Sequence, residues 1–368
     1  MRGMSAKGPA KSAVVVDLKD QDTYGCIRKA FERTGTTSLI KYAQRVYVHA
    51  PLAACLFRAG EPVPGSYLDV ELAEAIALNC LDKELTFYEA PATAHRNVRK
   101  LFEKLGYLKL TEKHRHIQLL DLQTYGKANP RDIIRVDSQF EYPRLDLPAF
   151  LFDRENLIIS VGNPKAPFSE KVPGFRGLPF SLSGKALAMG STLFEKKNLL
   201  HFAFADIGLG LKDYVADVLE RIHLAAVPCV GINGGRYVGS LRGQVELSPV
   251  EWNSLVISDN IVVADAVTAE MMGYAPFSVD YFVDMLRRQL IPQSMSQIPV
   301  LEIGESRARI REMLGRDNPF LAKGRLITAR DWIFGLLGQV PFCERLRLIG
   351  DILPSIVRYK IGRRRQSQ

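Results

Sequence analysis

No run of apolar residues in this chain approaches the roughly 18 to 20 positions that a membrane-spanning helix needs. The apolar run behind the small, basic start MRGMSAKGPAKSA covers only Ala13 to Val16, too short for the core of a secretory signal. Residues 1–12 are therefore expected to be a disordered leader, and the protein to be cytoplasmic. Cysteine is sparse as well. Cys26, Cys55, Cys80, Cys229 and Cys343 are odd in number, widely separated and without a C-x-x-C pair. That spacing argues against a disulfide framework and against a four-cysteine iron–sulfur or zinc site, and buried free thiols are the expectation. The chain also lacks an internal repeat, a zinc finger, a helix-turn-helix signature and an aromatic-interleaved RNA motif, so no specific nucleic-acid reading attaches to it. Ser183-Gly184-Lys185 has the ending of a phosphate loop, but Pro179 stands where that loop requires its first glycine.

What is present is an ordinary globular composition: 368 residues, 47% hydrophobic and 24% charged, enough for one large or two moderate domains. The net charge of +9 is concentrated at the ends, in Arg2, Lys7 and Lys11 and again in Arg358, Lys360, Arg363, Arg364 and Arg365. A basic end can hold a phosphate-rich partner or an anionic membrane; the alternative is a solvated tail that keeps the protein soluble. Residues 331–368 read as a basic helical tail with two apolar clusters, broken by Pro341 and Pro354. Such a tail would dock on the body or make a peripheral membrane contact.

Strand and helix patterns alternate through the first third. Ala13–Val16, Arg45–His49 and Leu85–Tyr88 read as strands, with helices over Thr23–Arg33, Leu68–Cys80 and Thr93–Leu105 between and after them. Strands follow at Ile117–Leu122, Ile133–Val136 and Leu157–Val161. A Pro/Gly-rich segment from residue 163 to 184 then reads as a loop over a site. Beyond it come a helix over Leu211–His223, a strand over Ala226–Ile232 and the strand–turn–helix SLVISDNIVVADAVTAEMMGY from Ser254 to Tyr274. A helix at Val279–Gln289 and a strand at Pro299–Ile303 complete the pattern. The fold class predicted is α/β: mainly parallel sheets with helices on both faces, in two intimately joined subdomains of residues 13–162 and 163–330.

Three groups of residues stand out as a candidate site. Cations on a mobile loop can close over a carboxylate or phosphate, and of Lys165, Lys171, Arg176 and Lys185 the best placed is Lys185, beside a small-residue run. Asn233-Gly234-Gly235-Arg236 reads as a strand-end turn whose backbone N–H groups and guanidinium could hold an anion; a tight turn needing φ > 0 is the alternative. Asp265 reads as a first-turn residue that complements its helix dipole, beside Asn260 at the end of a strand. His201, in an apolar run, is either a core histidine or a base. His114 and His116 share a strand face that could bind a metal but sit in a charged surface setting.

Several of these segments resemble the family known only as domain of unknown function 362. VVADAVTAEMMGYAP is similar to that family's closing signature, Leu68–Ala75 to its first-half helix entrance, and Gly184–Gly190 with His201 downstream to its central glycine–lysine region. The helix entrance lacks the family's usual Thr and Pro, its central Lys-Thr-His element is only partly matched by Asn163-Pro164-Lys165 and Ser183-Gly184-Lys185, and no cysteine-rich ferredoxin module is present. The family is distantly similar to nickel-pincer lactate racemases, whose histidine–arginine motif is absent here. The resemblance implies an α/β fold and carries no settled reaction or cofactor.

The functional expectation is an enzyme acting on a small anionic metabolite, with Lys185 neutralising charge, His201 or Asp265 moving protons, and Lys165, Asn233, Gly234, Gly235, Arg236 and Asn260 contacting the ligand. Two alternatives are an accessory protein for a redox or metal cofactor, and a membrane- or nucleic-acid-surface protein acting through its tail.

Overall fold

A computed structural model of the chain describes residues 12–52, 55, 57–90, 97–136, 145–166, 182–191, 211–241, 247–316 and 318–320. Residues 1–11 of the expected leader, residues 167–181 of the Pro/Gly segment, His201, Cys343 and the basic tail lie outside the described residues.

The strands are β1 (Ala13–Asp17), β2 (Arg45–His49), β3 (Phe57–Arg58), β4 (Glu61–Pro62), β5 (Glu84–Glu89), β6 (Ile117–Asp121), β7 (Ile133–Val136), β8 (Leu145–Pro148), β9 (Asn156–Gly162), β10 (Lys165–Ala166), β11 (Cys229–Leu241), β12 (Leu247–Ser258) and β13 (Val300–Ile303). The helices are α1 (Thr23–Thr34), α2 (Thr36–Tyr42), α3 (Val70–Leu78), α4 (Val98–Lys104), α5 (Tyr107–Lys113), α6 (Leu122–Ala128), α7 (Ser183–Gly190), α8 (Leu211–Leu224), α9 (Ile261–Met271), α10 (Asp280–Arg287) and α11 (Ser306–Arg316).

One nine-stranded sheet organises the molecule, in the order β13-β1-β12-β11-β9-β2-β5-β6, with β10 added beside β11. Only β12 runs against its neighbours; every other pairing in this sheet is parallel. Parallel strands need both faces covered, and the central strands show it: all seven residues of β9 and all five of β1 are buried. Alternate residues feed separate cores. Val14, Val16, Val46 and Val48 pack under α1, α3, α4 and α5. Ala13, Val15 and Ile158 pack under α7, α8, α9 and α10. Each fully buried Val or Ile contributes about 1.5 to 3 kcal/mol, so the continuous apolar runs of these strands are what fix the layered arrangement.

The α/β class and the helices on both faces agree with the sequence. The sheet itself is continuous across residue 162, because β9 lies between β2 and β11. Cys26, Cys55 and Cys80 are buried, Cys229 is part-buried, and none of the four is in a disulfide. Burial pushes the Cys55 thiol up to about 11 and Cys80 up to about 12, which keeps both unreactive at neutral pH.

Three local expectations are corrected. Leu122 begins α6 rather than ending β6, because Asp121 turns the chain by accepting from Gln123 N and Thr124 N. His114 and His116 do not share a strand face: they lie in the turn between α5, which ends at Lys113, and β6, which starts at Ile117. Most consequentially, Asn233 to Arg236 is not a turn. It lies inside β11, where Asn233, Gly234 and Gly235 pair with Val256, Leu255 and Ser254 before a bulge. Gly234 has φ 113°, and a Cβ there would overlap the Ser254 carbonyl. The glycine therefore serves close strand pairing rather than an anion nest. Gly234→Ala is expected to lower stability by about 2 to 3 kcal/mol, combining backbone strain with overpacking. Urea unfolding measures it, and a loss below about 0.5 kcal/mol would show that the ladder tolerates a side chain there.

Candidate functional site

The carboxyl ends of β2, β5 and β9 lie along one edge of the sheet, level with Asn233 within β11: His49 pairs with Tyr88 and Ser160, and Gly162 with Asn233. β12 is antiparallel, so its carboxyl end at Ser258 lies toward the opposite edge, opposite Gly231 near the start of β11. The turn at Ser258 to Asn260 is consequently not at the edge where α/β sheets place ligands. Asn260 caps α9 there, its Oδ1 accepting from Val262 N and Val263 N at 2.9 and 3.1 Å, and its Nδ2 donating to Leu290 O at 3.1 Å.

Asp265 is not in the first turn of α9, which holds no acidic residue. Every residue of α9 except Glu270 is buried, and the Asp265 side chain is fully enclosed. Its Oδ1 accepts from Ser183 Oγ at 2.6 Å and Asn233 Nδ2 at 2.9 Å; its Oδ2 accepts from Gly184 N and Tyr281 OH, both at 3.0 Å. Ser183 N donates to Asn233 Oδ1 at 2.8 Å, and Ser160 Oγ donates to Ser183 O at 2.6 Å. α7 has no side-chain cap of its own, since Leu182 occupies the position before it. Asp265 supplies the missing acceptor from another helix, and Gly184 admits it because a Cβ there would run into the Asp265 carboxylate and the Tyr281 hydroxyl. Each carboxylate oxygen already accepts two bonds, so no lone pair faces outward.

A second polar group sits at the edge itself. His49 ends β2 and Glu89 ends β5; they are 2% and 3% exposed. His49 Nε2 lies 3.3 Å from Glu89 Oε1, which also accepts from Ala90 N at 2.8 Å, while Glu89 Oε2 accepts from Leu52 N at 2.7 Å. The imidazole meets the Tyr88 ring edge-on at 5.4 Å, and Tyr88 OH lies 3.2 Å from Ser191 Oγ. Gly190, closing α7, lies so near that a Cβ would overlap the imidazole. His49 Nδ1 and the amide nitrogen of Asn163, both buried, have no hydrogen-bond partner among the described residues. Lys165 is 5% exposed and donates to Ser66 O at 2.8 Å.

The topology makes this edge a switch point. From β2 the chain continues through α3 to β5 on one side, whereas β9, on the other side of β2, continues through α7 and α8 to β11. Connections that leave neighbouring parallel strands in opposite directions open a ligand-sized gap at their carboxyl ends. His49 ends β2 at that switch point.

Of the residues singled out in the sequence, Asn233, Asp265 and the start of α7 come together. Lys185 is on α7, with its side chain outside the described part of the structure. Gly234 and Gly235 are in the sheet, and Arg236 is on the surface with Nη2 2.6 Å from Glu71 Oε1. His114 Nε2 and Lys113 Nζ lie 2.7 and 2.6 Å from Glu74 Oε1, and these bonds, His114's first, hold the Glu74 carboxyl below its usual range. Among the described residues no group of three or more His, Cys, Asp or Glu is arranged to hold a metal ion. His49 and Glu89 escape the sequence reading; their signal is a polar residue closing each of the runs RVYVH and ELTFYE.

Burial raises the Asp265 carboxyl above its ordinary value, and the bonds from Ser183, Asn233, Gly184 and Tyr281 hold that rise back. Tyr281→Phe removes one donor and is expected to cost about 1 to 2 kcal/mol at neutral pH. A raised carboxyl contributes stability that is full below 3.8 and is lost as pH rises through the folded value. Losing a donor raises that folded value further, so the gap between variant and wild type should narrow as pH falls toward 3.8. Urea unfolding from pH 8 to 4.5 checks it, and a gap that widens toward acid would contradict the assignment. No family model, curated protein or solved structure matches the chain.

Proposed function

We propose that the protein is an enzyme that moves a proton on a small anionic metabolite bound at the carboxyl ends of β2, β5 and β9. The observation that carries this reading is the buried His49–Glu89 pair with its second ring nitrogen unpartnered among the described residues. A carboxylate on Nε2 fixes the tautomer: Nε2–H donates to Glu89, and Nδ1 is left as the unprotonated base. When Nδ1 takes a proton, the adjacent Glu89 carboxylate stabilises the imidazolium. Backbone bonds from Leu52 N and Ala90 N hold Glu89 for that task. The Asn163 amide, unpartnered among the described residues, is a donor for the substrate, and Lys165, two residues on in sequence, adds a buried cation whose Nζ donates to Ser66 O. Kinship with the domain of unknown function 362 family belongs to the same proposal and adds no reaction to it.

Incubation with a mixture of small carboxylic acids and phosphate esters in heavy water, read by mass spectrometry, tests the reading while the substrate is still unidentified. Wild type should place deuterium on at least one compound. His49→Gln should slow that exchange by about 100-fold or more, and Glu89→Gln by a smaller factor. Undiminished exchange by His49→Gln would remove the imidazole from the chemistry.

A further inference from the structure

The two polar clusters are joined by one short helix. α7 is eight residues long, about 10 Å from first to last residue, and neither end has slack. At its start, Ser183 Oγ and Gly184 N donate to Asp265, Ser183 N donates to Asn233, and Gly184 leaves no space beside the carboxylate. At its finish, Gly190 touches the His49 imidazole and Ser191 Oγ meets Tyr88 OH, whose ring packs on the same imidazole. One surface that confines the His49 ring, Gly190, is thus carried by the far end of a helix whose near end is fixed by Asp265, and a second, the Tyr88 ring on β5, is tied to that end through Ser191. Between the ends, Leu187 and Ala188 are fully buried against the core.

We propose that Asp265 is a positioning residue for His49, acting through α7. It does not touch a substrate: its four acceptor positions are filled. It sets where α7 sits along its axis, and α7 sets how far the imidazole can turn from Glu89. A close-packed helix transmits such a displacement because there is no void for it to relax into. The proposal rests on His49 being the proton carrier only for its consequence in turnover; the position of the ring can be read with no substrate present.

Nitrogen-15 spectra of the histidine side chains make that measurement, since the chain has only six histidines, and His49→Gln identifies the His49 signals by their disappearance. Gly190→Ala, which presses on the ring directly, calibrates how far they move. Asp265→Asn and Ser183→Ala are expected to displace the His49 ring signals in the folded protein while leaving those of His114 and His116 in place. Ile27→Val, a destabilising change on the opposite face of the sheet, should leave His49 unmoved. Should Asp265→Asn fail to fold, Ser183→Ala decides, because Asp265 then keeps three of its donors. Unmoved His49 signals in Ser183→Ala, with stability reduced as in Ile27→Val, overturn the proposal and leave Asp265 a purely structural acid. Heavy-water exchange in the same samples separates the two readings: displaced signals with no exchange in wild type sink the enzyme and spare the positioning, whereas exchange with unmoved signals does the reverse.

Discussion

The carboxylate of Asp265 and its four donors hold the middle of this molecule together. Taking a carboxylate out of water costs several kcal/mol unless its lone pairs are answered. Here they are answered from Ser183 and Gly184 on α7, Asn233 on β11 and Tyr281 on α10. These positions span almost a hundred residues of chain. Neither these three elements nor α9, which carries Asp265, can shift without leaving a buried charge or a buried donor unmatched, so the arrangement specifies one packing of α7 between β9 and α9. An apolar residue of similar size at 265 would bury comfortably, but it would leave the start of α7 uncapped and Asn233 with its amide unanswered.

Small residues let that arrangement close. Gly162, Gly184, Gly190 and Gly231 each sit where a Cβ would meet a neighbouring side chain or backbone atom: Asn233 at Gly162, Asp265 at Gly184, His49 at Gly190 and Ala264 at Gly231. The polar contacts and the glycines are two sides of one constraint. Hydrogen bonds near 2.6 to 3.0 Å from a helix to a strand and to another helix require backbones closer than ordinary side chains permit, and only glycine at the contact points allows it.

Much of the fold is legible because strands buried on both faces read as unbroken apolar runs, and the helices between them carry a period of 3.6. β1, β2, β5 and β9 fall within a residue or two of their expected spans. The direction of β12 is not legible: LVIS pairs equally well with a parallel or an antiparallel neighbour, so the sequence pattern alone puts the Ser258 to Asn260 turn at the wrong edge of the sheet. The face of Asp265 is hidden for a related reason. α9 is apolar nearly all round, and a helix without a polar face gives no phase from which to place one aspartate inward. Gly234 and Gly235 suggest a turn because glycine permits φ > 0, a freedom that β11 uses for pairing across a bulge instead.

His49 and Glu89 are hidden most thoroughly, since a polar residue after an apolar run is the ordinary way for a strand to end. The structure makes them unusual. Both are buried, Glu89 draws two backbone donors, and Gly190 forgoes a side chain to admit the imidazole. A leucine at position 49 and a valine at 89 would continue the apolar pattern of their strands and avoid desolvating two polar groups. Stability alone gives no reason for a buried imidazole whose Nδ1 has no partner among the described residues, and its place at the switch point of a parallel sheet is what supports the proposed role toward a ligand. The same cost applies to the Asn163 amide, three residues beyond the strand position that pairs with His49. Two such nitrogens, at the carboxyl ends of neighbouring strands, are what the proposed pairing of a base with a donor rests on.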